Sequence, residues 1–507
     1  MTSATSHSVF LSPLDQYMPN LYSGLFLVFP AHDPAGAIDD LKAGLQIVNE
    51  RLPYIKGRVF ATEGNNAEGR CGLAVEWSAA DANIELETAC AAGLGAEGVV
   101  LPGMSYEKLK HQNAPLHYFP ACLSPLPAWN HLKSDAGYDS DTPVFAANYT
   151  LLDGGVVVGL CVHHALMDGT GIAEFIRFWA DCTRCRGVLG MPAPDPDELL
   201  HRDRLLRLAT CPARDWKEDE TRPRNLSLGK LLARHPEFVL LSDLMATAGP
   251  PAPPPSPMGS SRVFTFDGSK LDAIKTSLRP ERITTNTVLC ALIWSCITRA
   301  RTARRAGGLG ALSSKLCFTI NGRTRLHGGA LIDPPFLGNV VLYGLAEVAV
   351  EELEHVGLAC HAFAGSGFDI ALSADCVSPL VPVAKKIGGV VDLVTPEYVA
   401  NVVELLDQAL AARDTIVPRC DSFHAADIIM TSWANMDLYQ SDFGAVVGKP
   451  EFVRVPEMET DGFVIVLPRK RTAEGHVENG IEVVVAMHPE DIVALKKDAV
   501  WCSYLCR

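Results

Sequence analysis

Near the middle of the chain, residues 245–261 read "MATAGPPAPPPSPMGSS", a run of proline, glycine and small polar residues with no hydrophobic periodicity. Proline lacks a backbone donor and cannot extend a helix or a sheet ladder, so such a run joins packed units rather than entering one. The chain has 507 residues, 48% of them hydrophobic and 20% charged. A single core stops growing at about 250 to 300 residues, so the chain divides in two. The expected organisation is an N-terminal domain over 1–244, a linker or crossover over 245–261, and a C-terminal domain over 262–507.

The formal net charge of −15 argues against a nucleic-acid binder, because phosphate neutralisation needs a concentrated basic face. An anionic ligand must therefore meet a local basic patch. The opening stretch "MTSATSHSVFLSPLDQYMPN" lacks the basic and apolar regions of a signal peptide. No apolar run reaches the roughly 18 residues that span a bilayer. The expectation is a soluble, cytoplasmic protein. Its 15 cysteines are too sparse for a disulfide framework and read as free thiols. Cys182 and Cys185 have a spacing that zinc can use, but the stretch reads as helix and no matching second pair follows, so no metal is expected.

Periodicity places the main elements. Leu41, Leu45, Val48 and Leu52 repeat at helical spacing. "VFAANYTLLDGGVVVGLCV" reads as two strands around a turn at Asp153-Gly154-Gly155, and the second strand is so uniformly apolar that both its faces must be buried. Ile172, Phe175, Ile176 and Trp179 then mark a helix starting near Gly171. In the second half "TTNTVLCALIWSCITRA" reads as a helix, and "SSKLCFTINGR" and "IEVVVAM" as strands. The fold class is α/β, without the regular alternation of a barrel.

Between the buried strand and its helix lies "HHALMDG", residues 163–169. Polar groups at the end of a rigid buried element have fixed geometry and open access, the usual setting of an active site. The alternative is a hydrogen-bonded histidine pair beside a turn whose glycines supply positive φ. A chemistry such a motif could support is acyl transfer by a general base: an imidazole with a pKa of about 6.5 takes a proton as an alcohol attacks a thioester. One base contributes about 10² to 10⁴ in rate, so a donor pocket and oxyanion stabilisation are also needed. The chain has no nucleophile elbow, no Walker A loop and no dinucleotide fingerprint.

His164-Ala165-Leu166-Met167-Asp168-Gly169 resembles the HxxxDG signature of the BAHD acyltransferases, including their fungal trichothecene O-acetyltransferase branch. Alone it equally resembles the HHxxxDG motif of peptide-synthetase condensation domains. Three further stretches favour the former: "TSWANMDLYQSDFGAVVGKP" at 431–450, "INGRTRL" followed by "DPPFLGN" at 320–339, and "LSPLDQYMP" at 11–19. They occur in the family's order and at roughly its spacing. One departure is Ala445, where the family's Asp-Phe-Gly-Trp-Gly has tryptophan.

The resemblance implies two chloramphenicol-acetyltransferase-like domains with a channel between them. His164 would be the catalytic base, with His163 a packed neighbour. Asp168, Gly169, Arg323 and Asp442 would be structural, with Arg323 the first choice of partner for Asp168 and Arg325 the second. Thr431 and Trp433 would lie near the developing oxyanion. Acyl-CoA would be the co-substrate, with no permanently bound cofactor. Arg299, Arg301, Arg304 and Arg305 form a basic run that could meet its phosphates, followed by Lys315 and Lys449. The acceptor would be a small-molecule alcohol, a hydrophobic fungal secondary metabolite, and the protein a monomer. The alternatives are a condensation-type enzyme using a carrier-protein thioester and a non-catalytic binding protein.

Overall fold

The computed structural model describes residues 6–63, 71–89, 105–128, 142–185, 226–248, 259–278, 283–304, 313–326, 335–357, 370–422, 426–472, 474, 478 and 480–506. Seventeen strands are described. The N-terminal half supplies β1 (Ser6–Phe10), β2 (Tyr22–Pro30), β3 (Arg58–Glu63), β4 (Cys71–Ser78), β5 (Glu87–Thr88), β6 (Thr142–Pro143), β7 (Phe145–Leu152), β8 (Gly155–His163) and β9 (Phe238–Leu240). The C-terminal half supplies β10 (Ser260–Asp267), β11 (Ser313–Asn321), β12 (Val341–Ala349), β13 (Ile416–Pro418), β14 (Ile428–Ser432), β15 (Phe452–Arg454), β16 (Phe463–Val466) and β17 (Gly480–Met487).

The β7–β8 hairpin forms as expected, with Gly154 in the left-handed region at φ +77. Every residue of β8 is buried, because β2 and β7 pair with its edges while packed layers cover its faces. The sheet runs β15-β2-β8-β7-β5. On it lie the helices Pro34–Arg51 and Gly169–Cys185, which meet so closely that a Cβ at Gly44 would fall 2.1 Å from the Thr183 hydroxyl. Trp179 Nε1 donates to the Leu41 carbonyl at 3.2 Å across this contact. Cys182 is buried in the same helix.

A second sheet runs β10-β17-β16-β14-β11-β12, with β11, β14 and β16 parallel and the other pairings antiparallel. Three parallel strands bring the segments after Asn321, Ser432 and Val466 to one end of the sheet. The helix Thr285–Arg304 is buried behind it, and Trp294 Nε1 donates to Ser314 Oγ at 2.7 Å.

The expected linear division needs correction on two points. The helix Leu241–Ala248 continues past Met245, so the extended stretch starts later; its residues 249–258 lie outside the described residues. The halves also exchange segments. Leu231 and Phe238 join the C-terminal core, and β9 pairs with β13. In return β15 completes the N-terminal sheet against β2, and Trp433, Phe443 and Val453 join the N-terminal core. Apolar burial follows shape rather than chain order, so the cores interlock. Among the described residues no helix is long and apolar enough to cross a membrane.

Candidate active site

The turn that follows β8 is bound on every side. His163 N donates to Val144 O and His164 N to Leu21 O, each at 2.9 Å, which extends the pairing of β8 to its last residues. Asp168 is fully buried. Its Oδ1 accepts from Gly171 N at 2.9 Å and so caps the following helix, where the amide dipoles favour an anion. Its Oδ2 accepts from Arg323 Nη1 at 2.7 Å and from Val340 N at 2.8 Å. Arg323 also donates to the Phe336 and Gly338 carbonyls. Arg323, not Arg325, is therefore the ion-pair partner. Gly171 packs flush against this segment: a Cβ there would lie 1.8 Å from the Leu337 carbonyl oxygen. At Gly169 a Cβ would meet Met436 Cε at 2.5 Å and Trp433 Nε1 at 3.0 Å.

The two histidines differ. His163 is fully buried; its Nδ1 accepts from Ala165 N at 3.3 Å, so Nε2 carries the proton and donates to Asn20 Oδ1 at 3.1 Å. Burial, helped by the neighbouring His164, pushes its pKa down to about 3. It is a packed neighbour, edge-on to the Tyr22 ring at 5.5 Å. His164 is partly exposed, although its Nδ1 is buried and has no hydrogen-bond partner among the described residues. Burial lowers its pKa, while its own backbone carbonyl, the Asp168 charge and Asn339 oppose that shift. Neutral imidazole, the form that accepts a proton, is thus favoured.

The motif reading missed two residues behind His164. Asn339, fully buried, donates through Nδ2 to the His164 carbonyl at 3.0 Å and to Asp15 Oδ1 at 2.8 Å. Asp15, also fully buried, receives Ser12 N and Ser12 Oγ on its other oxygen at 3.1 and 2.6 Å. The local half of this arrangement is legible as a Ser-x-x-Asp capping box with proline behind the cap. The contact with Asn339 spans more than 300 residues and leaves no local signal.

Thr431, on β14, shares a hydroxyl–hydroxyl bond of 2.9 Å with Thr319 on β11. Trp433 is 5% exposed and brings its indole nitrogen to the start of the helix after His164. Asp442 is exposed and accepts from Gly444 N at 3.0 Å within its own loop. Phe443 is the buried anchor there, edge-on to Phe29 and Trp179. Gly444 and Gly448 at φ +101 and +77 close the loop through Gly448 N to Gly444 O at 2.7 Å. Ala445 sits at its exposed tip, where no packing calls for a tryptophan.

The basic run is corrected. Arg299 pairs with Asp498, the fully buried Arg301 with Asp461, and Arg304 with the fully buried Asp491. A charge inside a packed interface must find a counter-charge, so Arg299 and Arg301 tie the helix to its neighbours instead of facing a ligand, and Arg304, partly exposed, is committed to Asp491. Arg305 lies outside the described residues. Lys315 pairs in register with Glu347 and its amide donates to Asp427 at 2.8 Å. Lys449 is exposed and reaches Gln440 Oε1 at 3.0 Å.

Two interlocked α/β units with a histidine turn of one clamped by an arginine of the other define the class, a two-domain acyltransferase. The trichothecene 3-O-acetyltransferase-like N-terminal domain family matches residues 21–182, and the transferase family matches 372–500. The chain is 31% identical to a trichothecene 8-O-acetyltransferase of Fusarium sporotrichioides, covering 99% of this chain and 98% of that one. It is 24% identical to the O-acetyltransferase ptmV of Penicillium ochrochloron, covering 98% and 96%. Among solved structures it resembles F. sporotrichioides TRI101 complexed with coenzyme A and T-2, with a TM-score of 0.69 at 19% identity over 98% of this chain and 99% of that one. The chain belongs to the BAHD-type acyltransferase family, in its trichothecene O-acetyltransferase-like branch.

Proposed function

We propose that this O-acyltransferase moves an acetyl group from acetyl-CoA to a hydroxyl of a hydrophobic fungal secondary metabolite, with His164 as general base in a ternary complex. The observation that carries the reading is the state of His164: partly exposed, biased toward neutral, and fixed through its backbone on both sides. In the forward step the hydroxyl oxygen attacks the thioester carbonyl and its proton passes to His164 Nε2. The tetrahedral oxyanion is held by donors from Thr431 and Trp433. The C–S bond then breaks, and the proton returns to the CoA thiolate.

Relatives named as O-acetyltransferases support an acetyl donor, and the coenzyme A complex of TRI101 supports CoA as co-substrate. Asp168, Gly169, Arg323 and Asp442 hold the scaffold. The N-terminal unit supplies the base, and the C-terminal unit supplies most of the CoA face, where Lys315 and Lys449 remain as candidate cations. The composition supports a cytoplasmic protein, which we read as a monomer.

Release of free CoA thiol from acetyl-, malonyl- and longer acyl-CoAs, with metabolite extract as acceptor, tests the reading. Wild type should release thiol only with acceptor present, and His164→Ala should abolish release while remaining folded. Near-normal turnover by His164→Ala sinks the base assignment. Activity confined to a phosphopantetheinyl carrier would point to condensation-type chemistry instead.

A further inference from the structure

Two residues already in contact each keep a complementary group unsatisfied. Among the described residues His164 Nδ1 and Asn339 Oδ1 are both buried without a hydrogen-bond partner, yet the two residues are already joined through Asn339 Nδ2 and the His164 carbonyl at 3.0 Å. The orientation of the amide is fixed by its surroundings. Its NH₂ faces two acceptors, Asp15 Oδ1 and His164 O; turning it over would set oxygen against oxygen at both. Asp15 cannot follow, because Ser12 N and Ser12 Oγ occupy its other oxygen. Leaving a buried acceptor unpaired is destabilising, so its retention beside an unpaired ring nitrogen calls for a role.

We propose that Asn339, anchored by Asp15, is the positioning residue of His164: its Oδ1 receives the Nδ1–H of the ring and keeps Nε2 directed at the acceptor hydroxyl. The inference rests on His164 being the base. As the acyl–oxygen bond forms and the C–S bond breaks, the hydroxyl proton moves to Nε2 and on to the departing thiolate. In between, the ring is a cation with a proton on each nitrogen, and the Nδ1–H then needs an acceptor most. The charged or titratable groups around the ring are His163 and Asp168 beside it in the chain, Arg323 neutralising Asp168, and Asp15 behind the amide. Asp168 has committed both oxygens elsewhere and the ring's own backbone carbonyl already accepts from Asn339 Nδ2, so Asn339 Oδ1 is the neutral side-chain acceptor at hand.

The test uses the full-length chain carrying Asn339→Leu, of similar shape without polar atoms, and Asp15→Asn, which leaves one oxygen to serve both Ser12 and Asn339. Each is checked by thermal melting, then assayed from pH 5 to 9 with acetyl-CoA and the acceptor that wild type uses. Asn339→Leu should lose about tenfold or more in kcat, part of the roughly 10²–10⁴ that a positioned base contributes. KM for acetyl-CoA should stay within about twofold. Removing the amide removes a group that raises the His164 pKa, so the acidic limb of the kcat profile should move to lower pH. Asp15→Asn should move it the same way by less, and it carries the test if Asn339→Leu does not fold.

A kcat within twofold of wild type and an unshifted limb in a folded variant overturn the proposal. Nitrogen NMR of histidine-labelled protein, with the His164 signal identified by its loss in His164→Ala, gives a readout independent of turnover: the Nδ1–H tautomer population should fall in Asn339→Leu, and an unchanged population counts equally against the proposal. Absence of wild-type turnover, or its persistence in His164→Ala, would instead strike the base assignment.

Discussion

Asp168 and Arg323 show how much one residue pair can be asked to do. The carboxylate spends one oxygen on the helix it caps and the other on the guanidinium and the Val340 amide, so none of it faces the reacting groups. Removing it strands a largely buried guanidinium, and breaking such a pair costs about 3–5 kcal/mol. Asp168→Ala should therefore lose stability and activity together, a fall in melting temperature accompanying the loss of thiol release; full inactivation with an unchanged melting temperature would contradict the structural role. The turn carrying His164 was legible in the sequence because it sits between a buried strand and a helix; the roles of Asp168 and Arg323 came from the resemblance of their short motifs to the family's. Asn339 and Asp15 were not singled out, although both lay inside quoted motifs, because their purpose is a contact between distant segments. Arg299, Arg301 and Arg304 misled for the converse reason: a cluster of arginines reads as a basic face, and only burial reveals the carboxylates waiting for them.

At the scale of elements, the helix Gly169–Cys185 starts where it does because Asp168 caps it and because two glycines let other segments approach its first turn. Gly171 is the tighter case, since the neighbour it meets is backbone. Gly171→Ala should destabilise by about 1–3 kcal/mol through overpacking, despite alanine's better helix propensity, and chemical denaturation would measure it. A neutral or stabilised variant would mean that the 335–340 segment moves aside freely. Strand β8 and the helices at 34–51 and 285–304 were readable because uniform burial and 3.6-residue periodicity are local properties. The brief strands β9, β13 and β15 carry no such signal, each having three residues and a partner remote in sequence.

For the whole molecule, the exchange of β15 and of the 228–248 segment makes the two units interdependent. Residues 1–248 expressed alone would lack the edge strand on β2, the Arg323 clamp on Asp168 and the Asn339 contact with Asp15. That fragment should fail to give a cooperative unfolding transition and should bind a hydrophobic dye; a cooperative melt from the fragment would show that the exchange is ornamental. The sequence by itself determined the α/β class, the division into two cores, the strand–turn–helix that carries His164 and the membership of an acyltransferase family, because burial patterns and short motifs are written over a few neighbouring residues. Only the tertiary structure decided where the cores interlock, which arginine meets Asp168, which arginines are unavailable to a ligand and what stands behind His164. Those outcomes depend on which distant groups come within about 3 Å of each other once water is excluded, a distance that chain order does not encode.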